Sequence, residues 1–337
     1  MKVWEIQNNF GMENLCLSER DEPQPQAGEV KIKVHAASLN YRDIMMIAGS
    51  YNPRQPLPLI PFSDGAGEIV ALGEGVSGLQ VSQKVVGSFC QNWLAGSAPG
   101  KLHSSTLGGP IDGMLAEYVC LPACGVVPVP DHLNMAQAAT LPCAGVTAWH
   151  ALMEERPIQP GQDVLLLGTG GVSIFALQFA RMAGARIIIT SSSAQKIEKA
   201  LALGAHDAIN YQTEPEWHRQ VVKLTGGKGA DHVVEVGGSG TLERSLKSVR
   251  IGGVVSIIGV LSGGGGNMNL LPVLTRAISL QGIFVGSRAM LEHMNQAITL
   301  HQMTPIVDRV FEFDQLHEAL TFMQQGLHFG KVVIRVV

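Results

Sequence analysis

The sequence is poor in charged and aromatic side chains. Of its 337 residues, 15% are Asp, Glu, Lys or Arg and 5% are Phe, Trp or Tyr, whereas 46% are hydrophobic. Because so many apolar side chains are available for burial, this composition excludes a disordered chain and predicts a large core. The formal net charge of -4 argues against nucleic acid as a main partner. The length suggests two domains.

The sequence also lacks membrane and secretion signals. No apolar run approaches the length that a bilayer requires, and residues 1–6 alternate like a strand instead of forming a signal-peptide core. The five cysteines are scattered and odd in number, which is typical of reduced thiols in a cytoplasm. We therefore expect a cytoplasmic protein with no membrane partner. The cysteines are Cys16, Cys90, Cys120, Cys124 and Cys143.

The chain changes character near residue 162. Before it, residues 29–37 and 65–72 read as strands between Pro- and Gly-rich loops. After it, six apolar strands alternate with helical stretches, which predicts an α/β fold with a doubly wound parallel sheet. The final βαβ-like pieces exceed this count, so we assign residues 288–337 to the first domain with 1–125, and 126–287 to the second. The predicted strands are 163–168, 185–190, 207–210, 231–237, 253–259 and 280–286.

A glycine turn joins the first of these strands to a helix. Gly168 permits the tight turn, and Gly170 and Gly171, followed by Val172, leave room for a pyrophosphate to approach the backbone. The helix N-terminus then offers free N–H groups to that anion. Ser173 replaces the third glycine of the usual fingerprint. The pattern predicts a dinucleotide site, and a glycine-rich turn without a ligand is the alternative.

The second strand points to the type of dinucleotide. It ends at Ser191 and Ser192, where an NAD site usually has an acidic residue for the ribose 2′-hydroxyl. This chain has three serines and Lys196 instead, and no acid before Glu198. Hydroxyls and a cation suit a 2′-phosphate, so we predict NADP(H) in preference to NAD(H). The alternative is a helix-capping serine followed by a surface lysine.

The order of motifs resembles that of the medium-chain dehydrogenase/reductase superfamily over essentially the full length. Gly28–Val34, Asp64–Gly67, Leu72–Val76 and Ala139–Ala148 precede the glycine turn in the family order. The resemblance implies a GroES-like β-rich catalytic domain, a Rossmann-type cofactor domain and a cleft between them. It also implies a homodimer or tetramer formed by pairing the strand near 280–286 across a two-fold axis.

The superfamily divides into members with and without zinc. By the resemblance, the cysteine ligand falls on Asn40, the histidine–glutamate pair falls on Ser63 and Asp64, and the third ligand falls on Cys143. Asn and Ser cannot replace thiolate and imidazole in a tetrahedral site. Only Cys90 lies in the 90–112 region where a structural-zinc lobe needs four cysteines. We predict an enzyme without metal, in which Cys143 is a packed thiol.

Without zinc, hydrogen bonds must polarise a substrate carbonyl and a side chain or water must supply the proton. Residues 39–43 and 49–51 resemble those of quinone oxidoreductases and of the enoyl reductase modules of polyketide synthases. By this resemblance Tyr51 is the candidate proton donor, and Asn40 lies near the nicotinamide ribose. The alternatives are a Tyr51 that only packs in its loop and an Asn40 that forms a local turn. For Asp43 we expect a structural role, as a helix cap or a partner of Arg42.

The remaining cofactor contacts are implied by the resemblance and by the position of strand ends at the carboxyl edge of an open α/β sheet. Thr147 begins the interdomain helix, Tyr211 covers the adenosine side, and Lys331 is read as cofactor-proximal or structural. The residues at the ends of strands five and six are Gly259, Val260, Leu261, Phe284 and Val285.

These features predict hydride transfer from NADPH to a conjugated carbonyl, in a quinone or an enone or enoyl compound. The cleft loops carry few charges, which favours a small or apolar substrate. One alternative is an alcohol dehydrogenase or aldehyde reductase working without metal, because the turn from Gly168 resembles that of alcohol dehydrogenases. Another is an NADPH-binding sensor or interaction subunit without turnover, since fold does not fix function. One-electron quinone reduction by the same site is a third.

Overall fold

The computed structural model describes residues 1–266 and 268–337, and the chain divides into two compact units. Unit 1 comprises Met1–Val146 and Val285–Val337, and unit 2 comprises Thr147–Phe284. Residues 126–146, which the predicted boundary gave to the second domain, pack in unit 1. A physical reason is that the strand starting at Val126 pairs with the strand starting at Lys84.

Strands and helices are numbered along the chain. The strands are β1 (Lys2–Ile6), β2 (Leu15–Glu19), β3 (Glu29–Ser38), β4 (Asp64–Leu72), β5 (Lys84–Gly87), β6 (Tyr118–Pro122), β7 (Val126–Pro128), β8 (Asp163–Leu166), β9 (Arg186–Ser191), β10 (Asp207–Asn210), β11 (Ala230–Glu235), β12 (Val249–Ile257), β13 (Ser279–Gly282), β14 (Val307–Glu312) and β15 (Lys331–Arg335). The α-helices are α1 (Tyr41–Ile47), α2 (Met135–Ala138), α3 (Val146–Trp149), α4 (Gly171–Met182), α5 (Ala194–Leu203), α6 (Trp217–Leu224), α7 (Leu242–Ser248), α8 (Leu271–Thr275), α9 (Arg288–His301) and α10 (Leu316–Gln324). Wide π-type turns at Leu141–Gly145 and His150–Glu154 flank α3, and single 3₁₀ turns lie at Met12–Asn14, Leu102–Ser105, Ala123–Gly125 and Phe313–Gln315.

Unit 1 is built on a seven-stranded sheet. Its strands run in the order β14-β15-β3-β4-β5-β7, and β6 also pairs with β3. Strand β15 is parallel to β14 and antiparallel to β3, so residues from the two ends of the chain share one sheet. Apolar side chains on β3 supply a fully buried face: Val30, Ile32 and Val34. This arrangement brings the start of β15 beside the end of β3.

Unit 2 holds the six-stranded parallel sheet that the sequence predicted. The strand order is β10-β9-β8-β11-β12-β13, and all neighbouring strands are parallel. From β8 the chain adds β9 and β10 on one side and then β11, β12 and β13 on the other, as in a doubly wound dinucleotide fold. Helix α4 packs on it through buried side chains, and the Phe175 and Phe179 rings stack 5.8 Å apart. No helix in the described ranges 1–266 and 268–337 is long and apolar enough to cross a membrane.

Strands five and six of this sheet end earlier than predicted. Strand β12 stops at Ile257, and the next residues turn back so that the Gly259 N–H faces the Glu235 carbonyl at 3.3 Å. Strand β13 stops at Gly282, and Val285 has a φ of 48°, which is not extended backbone. The predicted ends at 259 and 286 are therefore wrong. The candidate cofactor residues at these positions lie in the loops after the strands.

Candidate functional site

The glycine turn of unit 2 has the geometry of an anion site. Gly168 has a φ of +71°, which an L side chain adopts at a cost, so the tight turn after β8 requires glycine. Helix α4 follows with Gly170 as its N-cap, and its first helical bond runs from Ile174 N–H to Gly170 O at 3.0 Å. The N–H groups of Gly171 and Val172 precede that bond and remain for a ligand.

Ser173 explains how the turn manages without its third glycine. Its hydroxyl donates a 2.6 Å hydrogen bond to the Leu167 carbonyl, and the side chain is buried. The bond ties the first turn of α4 to the end of β8. The residue that departs from the usual fingerprint thus anchors the helix to the end of the strand by a hydrogen bond.

The serines after β9 have different roles. Ser193 caps α5 by accepting from the Lys196 N–H at 3.4 Å, so the capping alternative is right for this residue. Ser191 is buried, its hydroxyl accepts from the Ser193 N–H at 3.3 Å, and its carbonyl accepts from the Tyr211 N–H at 3.1 Å. Together they place Ser191, Ser192 and Tyr211 around one strand end, where the sequence predicts the adenosine side of the cofactor.

One buried carboxylate of unit 2 was not predicted. Glu235, at the end of β11, is fully buried, and its Oε1 accepts from Gly237 N–H at 2.7 Å, Gly238 N–H at 3.0 Å and the Thr241 hydroxyl at 2.6 Å. Its Oε2 accepts from the Ser245 hydroxyl. This side chain shapes the loop between β11 and α7. The sequence feature that could have indicated this loop is the glycine pair Gly237 and Gly238.

In unit 1, five residues form what we call the buried polar cluster: Asn40, Ser63, Asp64, Cys143 and Lys331. The Asn40 side chain lies 3.5 Å from the Ser63 hydroxyl, which donates to Asp64 Oδ1 at 2.8 Å. The Cys143 N–H donates to Asp64 Oδ2 at 3.2 Å. Lys331, 3% exposed, donates to Asn40 Oδ1 and to the Leu39 carbonyl, each at 2.5 Å.

The sheet of unit 1 positions this cluster. Ser38, at the end of β3, pairs with Asp64 at the start of β4, while Leu39 N–H bonds the Val332 carbonyl of β15 at 3.0 Å. Asn40 follows directly and precedes α1. Three neighbouring strands therefore deliver the amide, the carboxylate and the ammonium to one place.

Asp43 has the structural role that the sequence favoured. Its Oδ2 accepts from the Asn40 N–H at 2.8 Å and so caps α1. Its side chain is fully buried, and burial raises the pKa of Asp43 to about 7, against the lowering effect of the Arg42 guanidinium, whose nearest nitrogen is 4.0 Å away. The carboxyl is thus partly protonated at neutral pH.

The electrostatics of the cluster follow from its burial. Burial raises the pKa of Asp64, while the Lys331 ammonium and the hydrogen bonds from Asn40, Ser63 and Cys143 lower it in part. Burial and the neighbouring Asp64 raise the pKa of the Cys143 thiol well above its ordinary value. Cys143 is therefore a protonated, inert thiol in this environment.

The donor set does not fit a catalytic zinc ion. Zinc requires thiolate, imidazole or carboxylate ligands, and Asn40, Ser63 and a protonated Cys143 leave Asp64 as the only suitable one. The Lys331 ammonium, bonded to Asn40, adds a positive charge where a cation would bind. The described residues 1–266 and 268–337 contain no group of three His, Cys, Asp or Glu side chains arranged to hold a metal. We accordingly derive no chemical step through zinc.

Tyr51 lies against Arg42. The guanidinium carbon is 4.9 Å from the Tyr51 ring centroid and 4.8 Å from that of Phe89, and its nitrogens donate to the Leu107 carbonyl at 2.8 Å and the Gly109 carbonyl at 3.3 Å. Tyr51 is 37% exposed. Burial raises the pKa of its phenol, and Arg42 lowers it.

The structure brings two of the predicted unit 1 residues, Asn40 and Lys331, together in the buried polar cluster, and it places Tyr51 beside Arg42. Thr147 is buried in α3, while Val260 and Leu261 lie exposed after β12. The contact between the Arg42 guanidinium and the Tyr51 ring was not predicted, because the sequence indicated Arg42 as an ion-pair partner of Asp43.

Comparisons with known proteins agree with this architecture. The family models that match are the alcohol dehydrogenase GroES-like domain, over residues 26–131, and the zinc-binding dehydrogenase, over residues 171–300. The first domain of the chain is GroES-like and the second is Rossmann-type, as predicted. Together they define an oxidoreductase that binds a nucleotide cofactor.

Individual relatives cover nearly the whole chain. A zinc-type alcohol dehydrogenase-like protein of Schizosaccharomyces pombe is 44% identical over 97% of this chain and 96% of its own length. A 2-methylene-furan-3-one reductase of Solanum lycopersicum is 30% identical over 100% of this chain and 79% of its own. The solved structure of an NAD-dependent alcohol dehydrogenase superposes with a TM-score of 0.91 at 32% identity, covering 100% of both chains. The chain belongs to the medium-chain dehydrogenase/reductase superfamily.

Proposed function

We propose that this protein is a zinc-independent, NADP(H)-dependent reductase that transfers hydride to a conjugated carbonyl, in a quinone or an enone or enoyl compound. The observation that carries the proposal is the buried polar cluster, in which Asn40, Ser63 and Lys331 occupy a site whose donors do not suit zinc. A conjugated carbonyl needs less polarisation than an unactivated alcohol, for which a Lewis acid is the usual solution.

Unit 2 residues hold the cofactor in this proposal. The N–H groups of Gly171 and Val172 bind the pyrophosphate, and Ser191, Ser192 and Lys196 bind the 2′-phosphate. NADPH, when bound, supplies the hydride. The further contacts that we propose come from Thr147, Tyr211, Gly259, Val260, Leu261 and Phe284 of unit 2 and from Val285 of unit 1.

Unit 1 residues act on the substrate. The Asn40 amide donates a hydrogen bond to the substrate oxygen as negative charge develops there. Tyr51 returns the proton, and the adjacent Arg42 stabilises the phenolate that remains, because a cation on the ring lowers the pKa of the phenol. The apolar surroundings and the scarcity of charge favour a small or apolar substrate.

The names of the relatives support two activities. The tomato relative is a 2-methylene-furan-3-one reductase, which agrees with reduction of a conjugated ketone. The relatives named alcohol dehydrogenase, one of them NAD-dependent, favour an alcohol dehydrogenase or aldehyde reductase as the second candidate. The absence of an acid beside Ser191 supports NADP(H) over NAD(H).

A substrate panel tests the proposal. Purified protein is assayed with quinones, enones, enoyl thioesters and simple alcohols, each with NADPH and with NADH, and its metal content is measured. We expect NADPH-dependent reduction of quinones or enones without stoichiometric metal. Oxidation of simple alcohols would favour the second candidate, and NADPH binding without turnover would indicate a sensor or interaction subunit.

Replacing Tyr51 by Phe tests the proton donor. The variant keeps the ring on Arg42 but loses the hydroxyl, so we expect kcat to fall about 10²-fold or more while the Kd for NADPH stays within about twofold. Fluorescence titration gives the Kd, and steady-state kinetics with the best enone give kcat. An unchanged kcat would remove Tyr51 from the mechanism.

Association and location complete the proposal. Strand β13 is an edge of the unit 2 sheet, and the neighbouring α8 exposes Leu271 and Leu274, at 60% and 79%. These features support a homodimer through the predicted strand near 280–286, which sedimentation of the purified protein would test. The five scattered cysteines, all free, support a cytoplasmic location.

A further inference from the structure

Lys331 is a buried ammonium that donates hydrogen bonds to two neutral oxygens. Its Nζ lies 2.5 Å from the Leu39 carbonyl and 2.5 Å from Asn40 Oδ1, and the residue is 3% exposed. Asp64 lies close enough for the ammonium to lower its pKa, and so supplies the compensating charge. Burying an ammonium in this way is costly, and a methionine of similar length would fill the space at less cost.

The ammonium fixes the orientation of the Asn40 amide. An ammonium group carries donors and no acceptor, so the amide atom that faces Lys331 must be the oxygen. The Nδ2 group therefore faces the other way, towards the Ser63 hydroxyl at 3.5 Å. Because Ser63 donates its own hydrogen to Asp64 at 2.8 Å, its oxygen can only accept from Asn40. One amide orientation satisfies all these partners.

We propose that Lys331 is a positioning residue, which holds the Asn40 amide with Oδ1 on the ammonium, so that Nδ2 exchanges its long 3.5 Å contact with Ser63 for a hydrogen bond to the substrate oxygen. This inference rests on the proposed function, in which Asn40 binds the substrate oxygen. It goes beyond the expectation of a cofactor-proximal or structural Lys331, because it names the side chain that Lys331 orients.

A second buried lysine of unit 1 provides a matched control. Lys31, on β3, is 5% exposed and pairs with the Glu22 carboxylate at 2.5 Å, over the Tyr118 ring. It lies in the same sheet and bonds neither Asn40 nor Asp64. Lys31→Met should therefore lower thermal stability and leave kcat within about twofold of the wild type.

The test is a double-mutant cycle between positions 331 and 40. We expect Lys331→Met to lower kcat about 10- to 100-fold with little change in the NADPH Kd. The loss is smaller than the roughly 10²- to 10³-fold that follows removal of an aligned donor, because the Asn40 amide is still present. In an Asn40→Ala background the same change should cost little, because there is no amide left to orient. Lys331→Arg should restore part of the rate. A Lys331→Met effect as large in the Asn40→Ala background as in the wild type would overturn the proposal.

Asn40→Asp keeps the test decisive if Lys331→Met does not fold. The aspartate still accepts from Lys331 and still follows β3, but it has no Nδ2 donor. We expect a folded protein with kcat reduced about as far as in Asn40→Ala. A wild-type kcat in Asn40→Asp would contradict the proposal.

Failure of the proposed function has a different signature, namely a wild-type protein that reduces no acceptor of the panel. The Lys331–Asn40 pair is then judged from unfolding curves of the same four proteins of the cycle. Non-additive losses of unfolding free energy would support the orientation of Asn40 by Lys331, and additive losses would overturn it.

Discussion

A fully buried carboxylate of unit 2, Glu235, and one of unit 1, Asp64, are held in opposite ways. Glu235 accepts hydrogen bonds from residues that follow it within ten positions, two of them through backbone N–H groups. Asp64 of unit 1 is held by its neighbour Ser63, by Cys143 from 79 residues along the chain, and by the charge of Lys331 on β15.

The difference shows two ways of building a binding site. In unit 2 the turn at Gly168 and the loop after Glu235 are formed by short stretches of backbone at strand ends. In unit 1 the site exists only when three strands, β15, β3 and β4, have paired. A local site needs little support from the rest of the protein, whereas the buried polar cluster depends on the whole sheet.

Removing each carboxylate in turn should show the largest difference in stability between the two kinds of site. Asp64→Ala leaves the Lys331 ammonium without its compensating charge, and we expect a loss of about 3–5 kcal/mol in unfolding free energy. Glu235→Ala leaves its hydrogen-bond donors unpaired but no buried charge uncompensated, and we expect about 1–3 kcal/mol. Urea denaturation measures both, with the exposed Glu243→Ala as control. Equal losses for the two variants would refute the distinction.

The titration of Asp43 in unit 1 should give a second, smaller effect on the unfolding free energy. The pKa of Asp43 is about 7 in the folded protein and 3.8 ordinarily, so the folded state binds the extra proton between these values. The stability that this proton contributes is complete below about pH 4 and is lost as the pH rises through 7, by about 4 kcal/mol in all and by roughly 2–3 kcal/mol between pH 5 and 8. Asn at position 43 can still cap α1 but does not titrate. We expect Asp43→Asn to flatten the decline between pH 5 and 8, measured by denaturation at each pH. An identical slope in both proteins would contradict the assignment.

Two helix ends give the smallest effect. Helix α5 of unit 2 ends at Gly204, with φ 113°, whereas α9 of unit 1 ends at Gln302, with φ 50°. Since the left-handed conformation favours glycine, Gln302→Gly should stabilise the protein by about 0.5–1 kcal/mol, and Gly204→Ala should destabilise it by about 1–2 kcal/mol. Thermal unfolding of both variants tests this; a lower Tm for Gln302→Gly would show that its bond to Thr299 matters more.

The same contrast explains what the sequence could predict. The turn at Gly168 and the six strands of unit 2 depend on neighbouring residues, so periodicity and glycine spacing identify them. The ends of β12 and β13 were misjudged because apolar residues continue past the last ladder bond. The bond between Lys331 and Asn40 joins residues 291 positions apart. Nothing local indicates such a pairing, and the resemblance left Lys331 as either cofactor-proximal or structural.

Strand β15 lies between β14 and β3 although the whole of unit 2 separates it from β3 along the chain. At a translation rate of about 5–20 residues per second, Lys331 follows Asp64 out of the ribosome after roughly ten seconds to a minute. Unit 2, which is continuous, can fold during that interval, while the end of β3 keeps an unpaired edge and Asp64 an uncompensated charge. We therefore expect this protein to be most prone to aggregation while its first unit is nascent, before β15 has been synthesised.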